Sequence, residues 1–120
     1  MKIKIIQIGE IKIAEVESGN IIIKNVGNAL DIMGNCSYQD SHKIILHEKN
    51  IIPDFFDLKT KLAGEILQKF STYRVQLAIV GDYTKYTSKS LNDFIFESNK
   101  LGQIIFASSV EEAKEKLLKK

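Results

Sequence analysis

At 120 residues the chain is long enough to bury a substantial core and short enough to form one domain, 1–120. Its 17 basic and 15 acidic residues leave a net charge of +2, without the basic stripe of a nucleic-acid-binding protein. No apolar run approaches the ~18 residues that cross a bilayer, and Met1 to Glu10 lacks a small-residue cleavage site. The single cysteine, Cys36, cannot close an internal disulfide and suits a reducing compartment. A cytoplasmic protein with neither a nucleic-acid nor a membrane partner is expected.

Lys2 to Ile8 and Ile11 to Glu17 read as two strands joined by the two-residue, glycine-first loop Gly9-Glu10, a hairpin signature. Lys2, Lys4, Lys12, Glu15 and Glu17 are assigned to its wet side. Ile21 to Ile23 reads as a short strand or an extended lead-in. Asn25 can cap a helix carrying Val26, Ala29, Leu30 and Met33 at spacings of three to four. Cys36 to His42 reads as a polar connection.

Lys43 to His47 is the next strand. Its consecutive Ile44, Ile45 and Leu46 imply burial on both faces, as in a sheet covered by helices on two sides. After a loop holding the only proline, Pro53, a helix is predicted over Lys61–Phe70, with Leu62, Ala63, Ile66, Leu67 and Phe70 on one stripe. Arg74 to Val80 is a strand ended by Gly81-Asp82. Ser88 or Ser90 can cap a helix with Leu91, Phe94 and Ile95 inward, stopped by Gly102. Gln103 to Ala107 is the last strand. Ser108 and Ser109 with Glu111 and Glu112 give capping-box patterns before a final helix burying Val110, Ala113 and Leu117. Lys114, Lys116, Lys119 and Lys120 make a basic end that complements that helix's dipole. Strands alternating with helices predict an open, mostly parallel sheet with right-handed crossovers, an N-terminal antiparallel hairpin and four helices.

The polar groups gather where predicted strands end and helices begin, which is where open α/β sheets place their sites. Asp57, Lys59 and Thr60 stand before one helix, and a helix amino terminus favours phosphate, bound or attached. Asp82, Lys85, Thr87, Ser88 and Lys89 follow the neighbouring strand, so they would share that rim. The bland reading makes Thr60, Asp57 and Ser88 helix caps and leaves the lysines in water. Phe55 and Phe56, with Tyr86, would give a partner surface if exposed and plug the sheet's end if buried. GDYTKYTSKS lacks Walker A spacing and no Gly-x-Gly-x-x-Gly occurs. His42 and His47 have no third ligand in range, so no metal or other cofactor is expected. His47, beside Glu48, is read as a partly buried structural residue or an acid–base group, and Cys36 as a small buried hydrophobe.

The words Asp54-Phe55-Phe56-Asp57-Leu58-Lys59-Thr60, LAGEILQKF from Leu62 and AIVGDYTKYTSKSLNDFIFESN from Ala78 resemble a small bacterial family known only as a domain of unknown function, over roughly Ile21 to Leu118. More remotely, the element order resembles the STAS fold of anti-sigma-factor antagonists. That resemblance implies a STAS-like α/β fold and a regulatory role through a protein partner. Members carry an Asp-Ser-Ser-Gly motif with a phosphorylated serine between a central strand and a helix. Here Asp57-Leu58-Lys59-Thr60 stands in its place, leaving Thr60 as the only hydroxyl there.

The leading expectation is a non-enzymatic, STAS-like regulatory module with a protein partner and no catalytic residue. It would use the 57–60 rim for docking, phosphorylation or anion binding. One alternative is a small-anion or nucleotide-binding protein, with at most weak enzymatic activity, using 57–60 and 82–90. The other is a homodimeric interaction module whose isoleucine-rich edge hairpin pairs with another chain.

Overall fold

The computed structural model describes residues 1–119; Lys120, read above as part of the basic end, lies outside them. β1 (Lys2–Ile8) and β2 (Ile11–Glu17) form the antiparallel hairpin, with Ile8 opposite Ile11 across the turn. Gly9 takes the positive φ of 63° required at the first position of such a turn. β3 (Lys43–His47), β4 (Gln76–Val80) and β5 (Ile104–Ala107) add in parallel, giving the order β1-β2-β3-β4-β5. This is the mostly parallel sheet with an antiparallel edge and four helices that the alternation predicts.

Each parallel step is bridged by a helix: α1 (Val26–Tyr38), α2 (Leu62–Tyr73) and α3 (Lys89–Leu101). Because the strand order advances without reversal, right-handed crossovers put all three on one face. There Ile32, Met33, Ile66, Phe70 and Leu91 pack on Ala14, Val16, Ile44, Leu46, Leu77, Ile79, Ile104 and Phe106. α4 (Val110–Leu118) covers the other face, with Ala113 and Leu117 against Ile13, Ile45, Ala78 and Ile105. Helices on both faces explain the unbroken apolar runs of β3 and β4. No helix among the described residues is long and apolar enough to cross a membrane.

The helix starts follow local chemistry. Asn25 accepts from Asn28 N at 2.8 Å, Ser88 from Leu91 N at 3.2 Å and Ser109 from Glu112 N at 3.1 Å. Three expectations need correction. α1 runs through Gly34 and Asn35 to Tyr38, because Cys36, fully buried on its inner face, extends the stripe of Ala29, Ile32 and Met33. The first three residues of the segment expected as a polar connection, Cys36 to Tyr38, are therefore helix. α2 begins at Leu62, after Lys61 in the left-handed region (φ 66°), and has no side-chain cap. Finally, Glu15 is not on the wet side: it follows Ile13 on the face that α4 packs against, and is only 8% exposed.

Candidate functional site

β3 and β4 run parallel side by side, with His47 level with Val80, so their carboxyl ends open onto one rim. A turn of 3-10 helix, Glu48–Asn50, follows β3 and turns Glu48 across the end of β4. That approach requires Gly81, since a Cβ there would lie 2.5 Å from Glu48 Oε1 and 2.6 Å from Glu48 Cβ. The Glu48 carboxylate is nearly enclosed. Its Oε2 accepts from the Tyr86 hydroxyl at 2.6 Å and pairs with Lys85 Nζ at 2.8 Å. Lys85 also lies 5.4 Å from the Tyr86 ring centroid.

Beneath this tie is an aromatic cluster. Phe56 stacks on Tyr86 at 5.3 Å, Phe55 meets Phe56 edge-on at 5.0 Å, and Tyr83 meets Phe106 edge-on at 5.2 Å. Tyr83 donates its hydroxyl to Ile79 O at 2.6 Å. Burial pushes the Tyr83 phenol far above its usual range, with the charges of Glu48 and Tyr86 adding to the shift. Tyr86 is raised by burial, then by its bond to Glu48 and that carboxylate's charge. Both tyrosines therefore remain protonated donors at neutral pH. A depression of about 270 Å³ opens here, walled by Ile21, Ile51, Pro53, Phe56 and Tyr86, with Glu48, Lys49 and Lys85 around it.

The residues singled out from sequence divide. Lys85, Tyr86 and Phe56 meet at this depression, while Phe55 is buried at 1% exposure and Phe56 at 8%. Both rings thus plug the sheet's end, and Ile21, Pro53 and Tyr86 supply the apolar surface of the depression. Asp57 accepts from Lys59 N at 3.1 Å and caps the 3-10 turn Leu58–Thr60. The Thr60 hydroxyl faces Asp54 O at 2.7 Å and Asp57 O at 2.8 Å, and accepts from Leu62 N at 3.3 Å. Asp82 accepts from Thr84 N at 3.0 Å and from the Thr84 hydroxyl at 2.6 Å; these bonds, then Lys85, hold its carboxyl below the usual range. It lines a neighbouring cleft of about 710 Å³ between β4 and β5. Ser88 caps α3, and Lys89 pairs with Asp93 at 2.9 Å, which raises the ammonium's pKa. Asp57, Lys59, Thr60, Ser88 and Lys89 line neither depression.

Glu48 was read from sequence only as the neighbour of His47, not as a residue of this rim; the Gly81-Asp82 strand end was the only signal near it. A second pairing was also missed. Glu15 Oε2 lies 3.1 Å from His47 Nε2 across β2 and β3, at the edge of a cleft of about 520 Å³ lined also by Glu17, Ser18, Gly19 and Lys49. The signal was Glu15 itself, standing where the alternation Ile11, Ile13 calls for an apolar residue. His47 Nδ1 makes no hydrogen bond among the described residues, so this imidazole is oriented by a carboxylate through one nitrogen only. Among the described residues no cluster of three or more His, Cys, Asp or Glu could hold a metal.

The model of one family, described as a domain of unknown function (DUF4180), matches residues 8–117. The chain belongs to this family. No curated protein matches it, and no solved structure does.

Proposed function

We propose that this DUF4180 chain is a non-enzymatic, STAS-like recognition module that docks a protein partner on the carboxyl rim of its sheet. The observation carrying this reading is the depression of about 270 Å³, with Ile21, Ile51, Pro53, Phe56 and Tyr86 as walls and Lys49 and Lys85 beside them. A pocket of mixed apolar and charged lining, Glu48 included, suits one anchoring side chain of a partner.

The polar groups of the rim support docking over anion binding. Lys85 is already paired with Glu48, and the Thr60 hydroxyl is held against two carbonyl oxygens. A phosphoryl group on Thr60 would replace that donor with acceptors facing the same carbonyls, so the reading rests on docking and not on a phosphoswitch. The test is affinity capture from a native lysate, comparing the wild type with Ile21→Glu, a change at a residue 39% exposed. A protein retained by the wild type and lost with Ile21→Glu is expected. Recovery that is indifferent to Ile21 and to Lys85→Glu would sink the reading.

A further inference from the structure

The two edges of the sheet are finished differently. At β5 the outward backbone groups are taken by α3: Ser98 donates its hydroxyl to Ile104 O at 2.5 Å, and Asn99 Oδ1 accepts from Phe106 N at 2.7 Å. That edge is closed to further strands. At β1 the two-residue turn makes Ile8 and Ile11 the bonded pair that closes the hairpin. Lys2, Lys4, Ile6 and Ile8 then turn their backbone groups to β2, and Ile3, Ile5 and Gln7 turn theirs outward. Among the described residues nothing bonds those outward groups.

We propose that two copies of the chain join edge to edge through β1, antiparallel about a two-fold axis at Ile5. The occupant follows from the strand's own pattern. Centred on Ile5, the register sets Ile5 against Ile5 and Ile3 against Gln7, so all three outward residues of each copy exchange backbone hydrogen bonds. It also sets Lys4 against Ile6 and Lys2 against Ile8. Each lysine stem then lies across an isoleucine of the partner, with no cation facing a cation. Sliding by two residues one way opposes Lys4 to its own copy; sliding the other way forfeits bonded pairs. The axis stands perpendicular to the sheet and keeps corresponding faces together. Ile3 and Ile5 continue the face of the larger core, and Ile6 continues the face under α4. The lysines that would deter a random strand are compatible with this one self-pairing.

The test is light scattering on the full chain over a concentration series, with two variants. The expected species is twice the 13.6 kDa chain mass. Gln7→Pro removes an outward N–H while leaving the β1–β2 ladder whole, and should yield the single-chain mass with an unchanged circular dichroism spectrum. Ile5→Cys should form a covalent dimer on mild oxidation, because the two Ile5 Cα atoms would stand ~5.5 Å apart, within disulfide reach. Cys36, fully buried, stays out of this reaction. Gln7→Cys alone should not cross-link, whereas an equimolar mixture of Ile3→Cys and Gln7→Cys chains should. Should Gln7→Pro fail to fold, the cysteine pairs decide alone. A single-chain mass at every concentration overturns the proposal, as does a dimer whose Ile5→Cys form never cross-links.

Discussion

A single methyl group tests the tie at the rim. Gly81→Ala would place its Cβ 2.6 Å from Glu48 Cβ and 3.1 Å from Glu48 Cδ, against the ~3.5–4.0 Å of relaxed carbon contacts. Glu48 Cβ is fixed to the backbone, so the residue cannot swing aside as a chain end could. It must shift and release Tyr86. Overpacking costs about 1–3 kcal/mol, and the lost hydroxyl–carboxylate bond about 1.5–3 kcal/mol. The Lys85 pair adds little, since that side chain is 56% exposed. Gly81 is not in the left-handed region, so alanine there recovers about 0.4–1 kcal/mol from the unfolded chain. The net expectation is about 1.5–5.5 kcal/mol of destabilisation, read from urea midpoints at constant slope. Glu48→Gly removes the obstructing Cβ, so the double variant should fall short of additivity by at least ~1 kcal/mol. A Gly81→Ala protein as stable as the wild type, or additive costs in the double variant, would refute the account.

Thr60→Val removes the hydroxyl from Asp54 O and Asp57 O and should cost about 0.5–1.5 kcal/mol in thermal melts; Thr60→Ser should recover most of it. Cys36, its pKa raised by burial to about 11, should resist thiol reagents until the chain unfolds. Its unfolded value is ~8.5, so its contribution to stability is complete below that pH. That contribution is lost at up to ~1.4 kcal/mol per pH unit as pH rises towards about 11, and Cys36→Ala should flatten the slope. The buried Tyr83 phenol, also raised, acts with the same sign. Above the ordinary phenol value of ~10 the unfolded state ionises first. Urea midpoints should therefore fall further there in the wild type than in Tyr83→Phe. For the Glu15–His47 pair, His47→Gln should be tolerated better than His47→Leu. Glutamine can still donate to the nearly enclosed Glu15 carboxylate, whereas leucine strands it; unfolding midpoints at neutral pH check the order.

The fold was legible because periodicity carried it. The stripe of α2 has a helix's period, and the apolar blocks of β3 and β4 are too short for helices and rich in β-branched residues. α1 was cut short because Gly34 and Asn35 are weak helix formers; burial of Cys36 overrides that local preference. The rim was legible only as a place. That strand ends and helix starts would meet there follows from topology. Which side chains meet there depends on how the 3-10 turns over Pro53–Thr60 fold back, and they spend Asp57 and Thr60 on their own backbone. Glu48, the residue that organises the rim, lies 33 positions from Gly81 and 38 from Tyr86. No spacing rule joins residues that far apart.

His47 and Glu48 show why sequence adjacency misled most at the strand end. Side chains of consecutive strand residues leave on opposite faces. Leu46 enters the larger core and Ile45 the core under α4, so His47 emerges on the α4 side, where it meets Glu15 from the neighbouring strand. Glu48 emerges on the other side, beneath Tyr86 and Lys85. These two sequence neighbours therefore belong to two separate constellations, divided by the thickness of the sheet. The 3-10 turn beginning at Glu48 fixes the second one, and Asn50, which donates to Ser18 O at 2.7 Å and Asn20 O at 2.8 Å, ties that turn to the loop bordering the first. One short segment after β3 thus positions both the docking depression and the Glu15–His47 cleft. Substitutions at Asn50 should disturb both, whereas those at Glu48 or His47 should disturb one each.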